Sequence, residues 1–183
     1  MTEILVIGSD SFIARYFINK YKNIFKIQAV SRIKTDFENE YQIDDLFKIP
    51  EHLFKNKSAI VNFVAIVHRT DVKDLETYIR INRDLTLANA VKSKINGGKL
   101  FIQLSTIAVY GNLSEITEDS ECNPVTHYGI SKLEADKALL SLSDDNFHVA
   151  ILRLPLVYGG GMAPGNMMKL IKVVNLGIPL PFK

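Results

Sequence analysis

Ile4-Leu5-Val6-Ile7-Gly8-Ser9-Asp10-Ser11-Phe12-Ile13-Ala14 is the stretch whose reading decides the fold. Ile4 to Ile7 is an unbroken apolar run rich in β-branched residues. A strand with one wet face would alternate polar and apolar positions, so this run predicts a strand covered on both sides, as in a parallel sheet. Gly8 ends it. Ser9, Asp10 and Ser11 each offer a helix N-cap, and Phe12, Ile13, Tyr16 and Phe17 then recur at helical spacing to about Tyr21. Strand, tight turn and helix form the unit that opens a doubly wound sheet, where the amides at the helix start face an anion. A full Gly-x-x-Gly-x-x-Gly fingerprint would place glycine at positions 8, 11 and 14. Here Ser11 and Ala14 stand in, small enough to allow close backbone approach. From the turn alone, dinucleotide binding and a tight connection that binds nothing are both open readings.

Working outward, residues 27–30 read as a second strand, 41–43 as a short third with no room for a crossover helix before it, and 59–65 as a buried fourth. A long helix is expected over 74–94, ending before Asn96-Gly97-Gly98, and a fifth strand over 99–104. Residues 105–127 are rich in Ser, Thr, Asn, Asp and Gly and predict a loop. A helix follows from Tyr128 through Leu140, then a sixth strand over 148–154 stopped by Pro155, a loop at Gly159-Gly160-Gly161, and a last helix over 164–176. Strands alternating with helices predict α/β architecture: a doubly wound, mostly parallel, Rossmann-like sheet of about six strands, with residues 1–183 forming a single domain.

Composition narrows the partners. The 183 residues are 47% hydrophobic and 23% charged, with 22 basic and 20 acidic side chains and no long block of either sign, so neither nucleic acid nor a membrane is an expected partner. A single cysteine, Cys122, and no signal-like N-terminus point to the cytoplasm. The histidines show no metal-ligand spacing; His68 and His127 flank the presumed site and are expected to be structural. For the cofactor, an acid after the second strand would hold a free ribose hydroxyl, whereas a cation there suits a 2′-phosphate. The chain has Ser31-Arg32, so of NAD and NADP the sequence leans slightly to NADP. Asp45 is placed to reach the adenine edge, although beside Asp44 it reads equally well as a solvated acid.

The chemistry-bearing stretch is Tyr128-Gly129-Ile130-Ser131-Lys132. Tyrosine and lysine four residues apart share one helix face, and a nearby ammonium favours the phenolate. Ser105-Thr106-Ile107-Ala108-Val109-Tyr110-Gly111 leaves a strand end with hydroxyls placed to meet Tyr128. Together with the turn at Gly8, the Phe63-Val64-Ala65 strand end and Leu152-Arg153-Leu154-Pro155-Leu156-Val157-Tyr158-Gly159, these pieces resemble the extended short-chain dehydrogenase/reductases. Within them the match is to the NAD-dependent epimerase/dehydratase branch that acts on nucleotide sugars.

The resemblance implies roles. Tyr128 would be the catalytic acid/base, Lys132 would lower its pKa and bind the nicotinamide ribose, and Thr106 would orient the reacting oxygen. Gly8, Ser11, Phe12, Ile13, Arg32, Asp45 and Ala65 would contact the cofactor. Ser105 and Asn166 would contact substrate, and Asn82 would support the site. Ile107 and Ala108 stand where dehydratases carry acids, which disfavours a 4,6-dehydratase and leaves an epimerase or reductase. The resemblance also implies a homodimer through helices 74–94 and 128–142. Family members continue beyond the point matching Lys183 into a small lobe that covers substrate. A shortened, inactive member and a non-catalytic dinucleotide-binding domain are therefore alternatives to a working enzyme.

Overall fold

The structure is a computed structural model that describes residues 1–67, 74–159 and 166–177. Its frame is one six-stranded sheet in the order β3-β2-β1-β4-β5-β6, with every neighbouring pair parallel. The strands are β1 (Glu3–Ile7), β2 (Lys26–Ser31), β3 (Glu40–Gln42), β4 (Ala59–Asn62), β5 (Leu100–Thr106) and β6 (His148–Leu154). Around them run α1 (Phe12–Tyr21), α2 (Leu75–Ile79), α3 (Leu85–Ile95), α4 (His127–Leu140) and α5 (Asn166–Asn175). The strand order reverses between β1 and β4, and loops beyond the carboxyl ends of the strands open a crevice at such a point.

The apolar run of β1 is divided between two cores by the strand period of two. Ile4 and Val6 pack with Ala14 and Ile18 of α1 and with Ile27, Ala29 and Val61. Leu5 and Ile7 face the other way, onto Leu85, Ala90, Phe101, Leu139 and Phe147. Residues facing both ways are thus buried, which is why the run carries no polar alternation. On the α1 side, Phe17, Phe63, Ile102, Leu104, Leu152 and Leu154 leave an apolar hollow of about 400 Å³.

Three expectations need correction. The segment 105–127 is not loop from its start: β5 continues to Thr106, with Ser105 opposite Arg153 and Thr106 opposite Leu154, and a 3-10 turn covers Ile107–Tyr110. The helix 74–94 is divided by a π-helical segment, Arg80–Asp84, between α2 and α3. The fourth strand stops at Asn62 because its side chain bonds sideways, donating to Thr86 Oγ1 at 3.0 Å and Gln103 Oε1 at 2.7 Å and accepting from the Val64 amide. Among the described residues no helix is long and apolar enough to cross a membrane.

Candidate active site

The turn after β1 is shaped for close approach. Gly8 has φ +83°, and a Cβ there would lie 2.8 Å from Val64 Cγ2 and 3.1 Å from the Val64 amide nitrogen, so no other residue fits. Gly8 and Ser9 donate their amides to the Val30 carbonyl, which moors the turn to β2. Ser11 is the N-cap of α1: its hydroxyl accepts from the Ala14 amide at 3.3 Å. Phe12 and Ile13 line a hollow of about 320 Å³ with Tyr16, Val157 and Tyr158. Arg32, Asp45 and Ala65, far apart in sequence, come together on another of about 310 Å³, joined by Ile66 and Arg80. Arg32 is exposed, and Asp45 also caps the turn Leu46–Lys48 by accepting from the Phe47 amide. Larger hollows of about 580 and 560 Å³ lie between α1 and the residues after β2, and none of the expected site residues lines them.

Tyr128 and Lys132 sit on the first turns of α4, which Thr126 caps by accepting from the Gly129 amide at 3.0 Å. At Gly129 a Cβ would lie 2.6 Å from the Ala108 carbonyl oxygen, so glycine lets α4 settle on the 3-10 turn. This seats Tyr128 against the end of β5, where it hydrogen-bonds Thr106. Burial raises the phenol's pKa, the Thr106 bond opposes the rise, and the Asp136 carboxylate adds to it. The expected lowering is therefore not met in the ligand-free protein, because desolvation wins and Tyr128 keeps its proton. Lys132 is fully buried, and its Nζ has no hydrogen-bond partner among the described residues. Burial pulls the ammonium's pKa down to about 8 against the attraction of Asp136.

Asp136, one turn beyond Lys132, was not anticipated. Its Oδ2 accepts from the Ser105 hydroxyl at 2.9 Å and from Arg153 Nε at 3.1 Å, while its buried Oδ1 has no partner among the described residues. Arg153 Nη1 in turn donates to the Tyr110 hydroxyl at 2.7 Å, with the guanidinium over the Tyr110 ring. Ser105 is 5% exposed and donates its hydroxyl to Asp136. A spacing of four through Tyr128, Lys132 and Asp136, and a lone arginine inside an apolar strand, were the available sequence signals.

Asn82 lies in the π-helical segment and joins three parts of the site. It accepts from the Ile66 amide at 2.7 Å, donates to the Ile66 carbonyl, and donates to Ser131 Oγ at 2.9 Å. A π-bulge at a functional position is a recurrent arrangement, because the extra residue re-aims one side chain. His127 is exposed and meets the Tyr78 ring edge-on. Asn166 begins α5, but its side chain lies outside the described residues, as do His68 and Gly160-Gly161. Among the described residues no cluster of His, Cys, Asp or Glu could hold a metal.

Comparison with known proteins matches residues 4–178 to the sequence pattern of the NAD dependent epimerase/dehydratase family. The chain belongs to that family. One member, a UDP-glucose 4-epimerase of Vibrio cholerae, is 32% identical over 98% of this chain and 58% of its own. An N-acetyl-alpha-D-glucosaminyl-diphospho-ditrans,octacis-undecaprenol 4-epimerase of Escherichia coli O157:H7 is 28% identical over 95% of this chain and 54% of its own. The chain thus spans a little over half the length of these curated relatives. Among solved structures, MoeE5 in complex with UDP-glucose and NAD is 25% identical with a TM-score of 0.83, covering 97% of this chain and 62% of the other. Family membership agrees with the Rossmann-like order of the strands.

Proposed function

We propose that this chain carries the cofactor-binding and proton-transfer machinery of an NAD(P)-dependent nucleotide-sugar epimerase. The observation that carries the reading is the hydrogen bond between Thr106 and Tyr128 at the carboxyl end of β5, with the fully buried Lys132 one turn further along α4. The relatives' names support the substrate class: both curated matches are 4-epimerases, and MoeE5 was solved with UDP-glucose and NAD.

The residues fit a dinucleotide. Gly8 lets the turn pack against Val64 where a Cβ would collide, and the Ser11-capped start of α1 would turn its first amides toward a pyrophosphate. Ser11, Phe12 and Ile13 would line its path, Arg32, Asp45 and Ala65 the adenosine end, and Lys132 the nicotinamide ribose. Bound NAD would supply the hydride acceptor. Thr106 holds the Tyr128 phenol; after that phenol has given up its own proton, its phenolate oxygen Oη would take the proton of the sugar hydroxyl and return it when the hydride comes back. Lys132 sets the charge beside that phenol, Asn82 fixes the helix through Ser131, and Asn166 would meet the nucleotide diphosphate. We assign residues 1–183 to one dinucleotide-binding unit, place it in the cytoplasm, and pair two copies through the α2–α3 and α4 helices.

A second reading, a dinucleotide-binding domain without turnover, is favoured by Ser11 and Ala14 in the phosphate turn and by the raised Tyr128 pKa. One experiment separates the two: NADH binding by fluorescence and epimerisation of UDP-sugars, in wild type and Tyr128→Phe. The epimerase reading expects equal NADH binding and turnover lowered by roughly 10²- to 10⁴-fold in the variant. Equal turnover removes the tyrosine from the mechanism. Binding without turnover in wild type selects the second reading.

A further inference from the structure

Beside the phosphate turn, one carboxylate is held by hydroxyls from three separate segments. Glu40 Oε1 lies 2.9 Å from Ser9 Oγ, 2.9 Å from Ser31 Oγ and 2.7 Å from Thr35 Oγ1, and Oε2 accepts from the Thr35 amide. Ser31 shares its single proton between Glu40 and the Ile33 carbonyl, 2.6 Å away. Ser9 and Ser31 are fully buried and Thr35 nearly so. Among the described residues no lysine or arginine pairs with Glu40. Desolvation pushes this carboxyl up, but the bonds from Thr35, Ser31 and Ser9 outweigh it and hold its pKa below the ordinary value, so it is charged at neutral pH.

Hydroxyls and an amide converging on one point, next to a strand-to-helix turn, make an anion cradle of the kind that would receive a phosphate monoester. Ser9 belongs to the phosphate turn and Ser31 ends β2, where the second substituent of an adenosine ribose is read. The cradle is filled by the chain's own carboxylate. We propose that Glu40 is the residue that sets cofactor choice, occupying the anion cradle formed by Ser9, Ser31 and Thr35 and thereby selecting a dinucleotide with a free 2′-hydroxyl over one with a 2′-phosphate. This rests on the dinucleotide-binding reading and reverses the sequence lean to NADP drawn from Arg32. That guanidinium is exposed, while the buried donors that a 2′-phosphate would require are already used. Bringing a dianionic phosphate against a fixed carboxylate adds like-charge repulsion to the loss of donors, which is how a site rejects a wrong partner.

The test is fluorescence titration of NADH and NADPH against wild type, Glu40→Gln and Glu40→Ala, with thermal unfolding of each as a check on folding. Wild type is expected to bind NADH at least about 10-fold more tightly than NADPH. Glu40→Gln removes the charge and Glu40→Ala empties the cradle, and each should bring the two affinities within about 3-fold, chiefly by strengthening NADPH. The ratio is the decisive quantity, since a merely structural loss weakens both ligands together. Equal affinities in wild type overturn the proposal without a variant being needed. An unchanged ratio in folded variants, or parallel weakening of both ligands, overturns it too. If wild type binds neither dinucleotide, the cofactor-binding reading fails and this assignment falls with it, a pattern distinct from equal binding of both.

Discussion

Two carboxylates flank the crevice, and the chain treats them in opposite ways. Glu40 collects hydrogen bonds from Ser9, Ser31 and Thr35 through both oxygens, and its pKa is lowered. Asp136 has one oxygen served by Ser105 and Arg153 and the other without a hydrogen-bond partner among the described residues, and its burial raises its pKa. That oxygen lies on the same helix face as the Lys132 ammonium one turn away, which likewise has no hydrogen-bond partner among the described residues and feels the Asp136 charge. Around the turn, both oxygens of the carboxylate are served by hydroxyl or amide donors. Around α4, buried charge is left incompletely paired among the described residues, which costs stability, raises the Asp136 pKa and lowers that of Lys132. Perturbed groups of this kind gather where proton transfer is the task.

The contrast can be broken most severely by removing the cation that partners Asp136. Arg153→Met leaves the carboxylate buried with Ser105 as its one hydrogen-bond donor among the described residues and releases Tyr110. We expect a loss of about 3 kcal/mol in urea unfolding, at the lower end for a broken buried pair because Arg153 is partly exposed. A loss under 1 kcal/mol would show that Asp136 is not held charged by this partner.

Lys132→Met tests the same region with the opposite sign. The ammonium's drop from the ordinary 10.5 to about 8 means that the unfolded chain binds the proton more tightly than the folded one. At 1.36 kcal/mol per pKa unit, holding the charge inside works against the fold by roughly 3 kcal/mol at neutral pH. That penalty fades between about pH 8 and 10.5, as the folded lysine becomes neutral first. The attraction of Asp136 is already contained in that net value, so the variant should be more stable than wild type by roughly 3 kcal/mol at pH 7, with the gain shrinking as pH rises toward 10. Turnover, if present in wild type, should fall. A variant less stable at pH 7 would show that the ammonium is better solvated than its burial implies.

What the sequence made legible follows the range of the physics. β1, the Gly8 turn and α1 could be read because an apolar run, a glycine and a capping serine act within a few residues. Tyr128 and Lys132 could be read because helical spacing alone puts them on one face. The Glu40 cradle could not, since its donors come from the phosphate turn, the end of β2 and the segment before β3, and no local pattern ties them. Ser105 looked like loop because hydroxyl-rich composition imitates a loop, while what makes it strand is pairing with Arg153, supplied by β6. The π-helical segment was equally hidden. An extra residue in one turn answers to where Asn82 must reach, between Ile66 and Ser131, and leaves no mark in the helical periodicity.

The finest discrimination between the two carboxylates comes from taking the same atom from each. Ser105→Ala deletes one of two partners of Asp136, and Ser9→Ala deletes one of several at Glu40. Hydrogen bonds to charged groups contribute about 1.5–3 kcal/mol when their loss leaves the charge poorly served, and less where other donors remain. Ser105→Ala should thus cost about 1.5 kcal/mol at pH 7, and Ser9→Ala about 0.5. The pH dependence supplies the sign. Losing Ser105 raises the Asp136 pKa further above its unfolded value, so the deficit is full at neutral pH, where the folded site must hold a charge it solvates badly. It shrinks as the carboxyl takes up its proton, and is small below about pH 4, where Asp136 is neutral in both states. Paired unfolding curves from pH 3 to 8 read both quantities. A Ser9→Ala loss as large as that of Ser105→Ala would mean that the Glu40 site holds no reserve, and that saturation is not what separates the two ends of the crevice.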